Sequence, residues 1–284
     1  MNARKKQSQR TNVSWGRILF CAFVCAVLVP CFSFLPQAQG ADDPVSYRVV
    51  FVAADDTLNV RSEPGSSSPV VGTLAPSAQG IRITGEKKMV GDSAWYPIET
   101  EDLGGWVLGL FLTQDYPPEE FCAAQPVDFL GAFTDAIAKK DGEALASMVD
   151  SDRGLRLYLD PWSKGVRLSA EQLRTIFADS TKSTWGLDPD MEPVDEGTFS
   201  ENVLPLLERD LLNATTNACN AMNHPEASDP HMVPQGAEGV NYYSFYRSPG
   251  ADENELDWGE WVVGIEFWNG RMVLSYLAHY KWTP

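Results

Sequence analysis

The side chains that could do chemistry are few: the 284-residue chain holds five Cys and three His. The densest grouping is Cys219, His224, Glu226, Asp229 and His231, a mixed sulfur, nitrogen and oxygen set that could hold zinc. Structural zinc sites use four Cys or His ligands at tight spacing, and Pro225, Pro230 and Pro234 interrupt this stretch, so a surface loop is the preferred reading. Asp188, Asp190, Glu192 and Asp195 could attract calcium, but without the central Gly and closing bidentate Glu of an EF-hand loop they read as a solvated acidic turn. A thiol peptidase needs a Cys at the start of a helix with a His nearby. Neither Phe121-Cys122-Ala123 nor Ala218-Cys219-Asn220 supplies that context. The Gly-x-Ser-x-Gly elbow, the His-Glu-x-x-His helix and the phosphate-cradling Gly loop are all missing from the sequence. Paired acids for glycoside hydrolysis depend on their separation in space, which the sequence does not give. The expectation is therefore no catalytic residue, no metal and no cofactor.

Charge and leader set the compartment. The 22 Lys and Arg against 39 Asp and Glu give a net charge of −17, which disfavours nucleic acid, because affinity for phosphate backbones comes from basic side chains. Residues 1–40 hold five basic residues and no acid, run into the apolar stretch Ile18–Leu35 and end at the small-residue motif Ala38-Gln39-Gly40. That layout reads as a signal peptide cut after Gly40. The alternatives are an uncleaved anchor, which Pro30 would disturb, and lipidation at Cys31, where Pro30 stands in place of a small residue. Setting residues 1–40 aside leaves 17 basic residues against 39 acids, net −22, on a chain repelled by anionic membrane surfaces. Membrane contact is expected only through the leader, if it is uncleaved. Cys122 and Cys219 are the cysteines that remain. In an oxidising compartment a disulfide between them is favoured over two free buried thiols.

The elements that would position a site fall into two kinds. From Tyr47 the chain reads as short strands. Leu58 and Val60 alternate with Asn59 and Arg61, Ser62-Glu63-Pro64-Gly65 signals a turn, and Gly104-Gly105 is expected to turn just before Trp106. The run Leu58-Asn59-Val60-Arg61-Ser62-Glu63-Pro64-Gly65, then Pro69-Val70-Val71-Gly72-Thr73-Leu74, Ile81-Arg82-Ile83-Thr84-Gly85, Trp95-Tyr96-Pro97-Ile98 and Gly105-Trp106-Val107 resembles the bacterial SH3 (SH3b) domain over residues 46–115. The resemblance implies a small all-β barrel, non-catalytic, that binds cell-wall peptides or glycans or a protein partner. The ligand-binding candidates are Asn59 and Arg61 on the outward face and the aromatics Trp95, Tyr96 and Trp106. For the aromatics a core role is the competing reading, and Arg61 could instead cap a turn or pair with Glu63.

Residues 116–120, with Pro117-Pro118, read as an extended linker crossed by few contacts. Beyond it the period changes to 3.6. Val127, Leu130, Phe133, Ile137 and Ala138 share one helical face closed by Asp141-Gly142, a second helix covers 143–149, and 154–159 alternates as a strand. Ser169 with Gln172 forms a capping box, and Thr198 or Ser200 opens a helix over 199–212. Strands are expected at 240–246, 258–267 and 272–280, with Asn269-Gly270 as a hairpin turn and Trp261, Val263, Ile265 and Phe267 as the apolar face opposite Glu260 and Glu266. Residues 121–284 thus form an α+β domain of helices packed on an antiparallel sheet. Leu145-Ala146-Ser147-Met148-Val149, Trp185-Gly186, Asp257-Trp258 and the closing Tyr276-Leu277-Ala278-His279-Tyr280 are similar to the C-terminal domain of uncharacterised bacterial lipoproteins, which brings no activity with it. The function expected is that of an exported, non-enzymatic envelope protein binding peptidoglycan or a protein. The alternative is a cell-wall hydrolase with an unfamiliar site in residues 121–284.

Overall fold

Short β segments with apolar residues at every second position can bury one face by curling the sheet over itself, and residues 45–115, which contain no α-helix, do so. The computed structural model describes residues 45–159, 165–187, 193–224, 233–251 and 254–282. The leader 1–40, the acidic residues Asp188, Asp190 and Glu192, and the loop residues Glu226, Asp229 and His231 lie outside the described residues, as does the side chain of Asp195.

Eight strands build the first part: β1 (Tyr47–Val49), β2 (Leu58–Arg61), β3 (Val70–Leu74), β4 (Arg82–Ile83), β5 (Lys88–Val90), β6 (Ser93–Glu99), β7 (Gly104–Leu108) and β8 (Leu112–Gln114). The sheet order is β3-β2-β7-β6-β4, with β5 added on β6 and β1 paired to β8. Leu58, Val60, Ala94, Tyr96, Ile98 and Val107 point inward and form one core with Val49, Ile81 and Leu112. The Gly pair does not turn the chain. The turn is made by residues 100–103, closed by Thr100 N donating to Leu103 O at 2.8 Å, and Gly104 and Gly105 lie in β7. A Cβ at Gly105 would sit 2.6 Å from the Arg61 carbonyl oxygen, so glycine is what lets β7 close against β2.

Residues 121–284 give helices and a six-stranded sheet, an α+β arrangement. α1 (Pro118–Ala124) is followed by α2 (Val127–Lys139), α3 (Gly142–Ser147), β9 (Leu155–Tyr158), β10 (Val166–Leu168) and α4 (Ala170–Thr175). The hairpin β11 (Ser183–Leu187) and β12 (Pro193–Gly197), a helical stretch over 199–211, β13 (Thr216–Cys219), β14 (Asn241–Arg247), β15 (Gly259–Trp268) and β16 (Arg271–Lys281) complete the chain. The sheet order is β10-β9-β16-β15-β14-β13, antiparallel except for the parallel β9–β16 pair. Local rules fix several boundaries. Ser169 and Gln172 exchange both bonds of the capping box, and Thr198, rather than Ser200, does the same with Glu201. Asp141 does not end α2, which stops at a left-handed Lys140. The Asp141 side chain instead caps α3 by accepting from Ala144 N. The buried face of α2 is Leu130, Phe133, Ala136 and Ile137, while Val127 and Ala138 face solvent. Asn269 and Gly270 turn the β15–β16 hairpin with φ of 50° and 76°, the signs a type I′ turn needs.

The helices cover one face of this sheet, burying Phe133, Ile137, Leu145, Leu173 and Leu207 against Trp261, Val263 and Leu277. The opposite face, which carries Glu260 and Glu266, is buried as well: Glu260 is 0% and Glu266 4% exposed. Val50, Ala237, Val240 and Trp258 pack there on Val262, Tyr276 and Ala278. Each carboxylate survives burial because a cation or donor meets it.

The segment 116–120 is also not the contact-poor linker expected. Pro118 starts α1, where proline is tolerated because the first N–H groups of a helix have no partner in any case. Tyr116 stacks on Phe267 at 5.4 Å and its carbonyl accepts from Asn241 Nδ2 at 2.9 Å. Trp268, at the tip of the β15–β16 hairpin, sits in the barrel core edge-on to Tyr47 and Tyr96, each 5.6 Å away, with Val273 beside it. The described residues all belong to one compact unit.

Candidate functional site

Strand alternation decides which candidates share a surface. Because Leu58, Val60, Tyr96, Ile98 and Val107 fill the barrel core, their neighbours Asn59, Arg61, Trp95, Pro97, Trp106 and Leu108 face outward. Register then aligns them: Arg61 opposes Trp106, Trp106 opposes Pro97, and Trp95 lies between Lys88 and Leu108. The Lys88 ammonium lies 4.9 Å from the centre of the Trp106 ring, within cation–π range. Four of the five residues picked from the sequence thus lie on one outer face. Tyr96 points into the core, where its ring meets Trp268.

The four differ in what they can offer a ligand. Asn59 is exposed and Trp106 half-buried, so both are accessible. Trp95 is only 6% exposed and acts as the base of the face. Arg61 caps a turn: its Nη1 donates to Ser68 O at 2.6 Å and closes the 62–69 loop, which Ser62 N to Pro69 O also holds at 3.0 Å. Val70, Val71, Met89 and Val90, each 44–50% exposed, add apolar surface on β3 and β5. Lys88 was missed, because a lysine in a charged run carries no sequence signal until register places it over a ring.

Residues 56–113, which contain all these groups, match the family described as bacterial SH3 domain. The chain carries a bacterial SH3 domain. Such domains are of a cell-wall-binding type and occur in envelope proteins. No curated protein and no solved structure matches the chain. Among the described residues no helix is long and apolar enough to cross a membrane.

Beyond the SH3 domain, three carboxylates lie buried against His or Arg side chains that the sequence did not pair with them. Asp210, 0% exposed, accepts from His279 Nε2 at 2.7 Å, Arg247 Nε at 2.7 Å and Arg209 Nε at 2.8 Å. Gly259 makes room, since a Cβ there would lie 2.3 Å from Asp210 Cγ. Burial pushes the Asp210 pKa upward, but the bonds from His279, Arg209 and Arg247 outweigh it and hold the carboxyl well below its ordinary range. Burial pulls His279 below its usual value, against the opposing pull of Asp210. On the other face Glu260 binds the His224 ring and accepts from Asn223 N at 2.8 Å and His224 N at 3.0 Å. Burial again acts upward, and the His224 and Asn223 bonds bring the Glu260 pKa below the ordinary value. The His224 ring is stacked between Trp258 at 5.0 Å and Tyr280 at 5.5 Å. The third carboxylate, Glu266, pairs with Arg153, whose guanidinium also donates to Gly109 O and Leu112 O of the SH3 domain and lies over Trp268.

His279 and Asp210 have the residue types of a general acid–base pair, but both side chains are 0% exposed, so solvent and substrate do not reach them here. His224, drawn into the Glu260 pair, is not presented to a metal with Cys219. Cys219 is bonded to Cys122 with Cα atoms 5.7 Å apart, tying edge strand β13 to α1. No cluster of three or more His, Cys, Asp or Glu suited to a metal occurs among the described residues.

Proposed function

We propose that the protein is exported through its basic, apolar leader and acts as a non-enzymatic envelope protein whose SH3 domain binds peptidoglycan through the outer face of β2, β7, β6 and β5. The observation that carries the reading is the alignment of Asn59, Trp106 and Lys88 on one accessible face of a domain of cell-wall-binding type. An aromatic ring beside amide and ammonium donors suits a glycan or peptide: the ring stacks on the apolar face of a sugar or side chain while the polar groups fix its orientation. Arg61 serves that face indirectly, by holding the 62–69 loop that borders it.

Co-sedimentation of the purified protein with isolated sacculi tests this. The wild-type chain pellets with the wall, and Trp106→Ala or Lys88→Glu reduces the bound fraction several-fold without a change in melting temperature. Failure of the wild-type chain to pellet, or undiminished pelleting of both variants, overturns the reading.

A further inference from the structure

A cavity away from the SH3 outer face opens where β1, the segment after β8 and the start of β14 meet. Its volume is about 350 Å³, within the range of small-molecule sites, whereas two other depressions measure about 10 and 40 Å³. Arg48 and Glu238 both line it, together with Tyr116, Tyr242, Asn220 and Asn241.

The framework is pre-set. Asn220 Oδ1 accepts from Tyr242 N at 2.9 Å, Asn220 Nδ2 donates to Asn241 Oδ1 at 2.8 Å, and Asn241 Nδ2 donates to Tyr116 O at 2.9 Å. This chain of amide bonds ties Tyr242, Asn220, Asn241 and Tyr116 of the lining together next to the Cys122–Cys219 bridge, so little ordering is left for a ligand to impose. The charged groups, by contrast, keep capacity. Arg48 donates from Nη2 to Asp115 Oδ1 at 2.6 Å, and its remaining guanidinium donors have no protein partner among the described residues. Glu238 is exposed and its carboxylate has no ion-pair or hydrogen-bond partner among the described residues.

We propose that this cavity binds a zwitterion, a free amino acid or the free end of a short peptide, with its carboxylate on Arg48, its ammonium on Glu238 and its body against the two tyrosine rings. A guanidinium forks onto a carboxylate in a way a second protein acid at Asp115 leaves room for, and a neighbouring anion selects an amine on the same ligand. The inference does not rest on the outer-face reading, since the two sites share no residue.

The test is titration of the purified protein with alanylalanine, alanine, N-acetyl-alanylalanine and alanylalanine amide, followed by amide NMR shifts of Asn241 and Tyr242. Alanylalanine shifts these amides, each blocked form binds at least about tenfold more weakly, and Arg48→Gln and Glu238→Gln each weaken the free dipeptide by about tenfold. Equal binding of alanine identifies a free amino acid as a sufficient ligand, and its exclusion identifies a peptide end. Glu238 is at the surface, so Glu238→Gln keeps the test valid if Arg48→Gln unfolds. No shift with the free dipeptide at roughly 10 mM, equal affinity for the blocked forms, or an unchanged affinity in Glu238→Gln overturns the proposal.

Discussion

Replacing Trp268 by Ala should destabilise the SH3 domain from a residue that lies about 155 positions beyond its end. Trp268 is 1% exposed and belongs to the barrel core although it is carried by the β15–β16 hairpin. A tryptophan buries about 150–250 Å², worth roughly 4–6 kcal/mol at about 25 cal/mol per Å². Measured truncations of buried aromatics cluster at about 3–5 kcal/mol, so about 4 kcal/mol is the working figure. Part of it is the loss of the edge-on contacts to Tyr47 and Tyr96 and of the Arg153 guanidinium over the ring. For a chain of this size each kcal/mol lowers the melting temperature by about 2–4 °C, giving a drop of about 8–16 °C. Scanning calorimetry, with hydrogen exchange on β2 and β7 against β15 and β16, reads the result. The wild type melts in one transition, and the variant melts lower while exchange accelerates in both parts together. Two separate wild-type transitions, or a shift below about 3 °C in the variant, would refute the idea that one core joins the two parts.

Acid should weaken the fold in two stages. His279 is held below its ordinary pKa of about 6.5, so as pH falls below that value the unfolded chain takes up the proton first and stability drops. Asp210 and Glu260 are held below the ordinary carboxylate values of about 3.9 and 4.3, so their contribution is full above those values and is lost as pH falls through the folded-state values. Urea midpoints measured from pH 7.5 to 3 would contradict this if they stayed level or rose on acidification. Reducing the Cys122–Cys219 bridge, which spans 97 residues, should remove about 4–5 kcal/mol on the chain-entropy account, with no change in the contacts of β13. Denaturation curves with and without reductant check it, and a difference below about 1 kcal/mol would speak against a major role for the bridge.

Much of the local structure could be read from the residues alone. Alternation at 58–61, the capping box at Ser169 and Gln172 and the Asn269-Gly270 turn are encoded within a few positions, so the backbone preferences that produce them act without distant partners. The Cys pair was legible because Cys122 and Cys219 are the two cysteines outside residues 1–40, which leaves a single pairing between them. What failed to show was whatever depends on a second surface. The burial of Glu260 and Glu266 is not written in their own strand, and only the arrival of His224 and Arg153 from elsewhere makes it tolerable. The same holds for Pro117-Pro118, which read as a spacer until Phe267 and Asn241 were found against Tyr116.

The sequence by itself determined the class of each part, the outward placement of Asn59 and Arg61, and the acidic balance of the chain. These follow from period, turn chemistry and counting, which are properties of neighbours along the chain. Tertiary structure alone decided that Tyr96 points inward, that Lys88 lies over Trp106, that the hairpin tip completes the barrel core, and that Arg48 and Glu238 face one cavity. Each of these joins residues far apart in sequence through register or packing, and neither register nor packing is written in any short stretch of the chain.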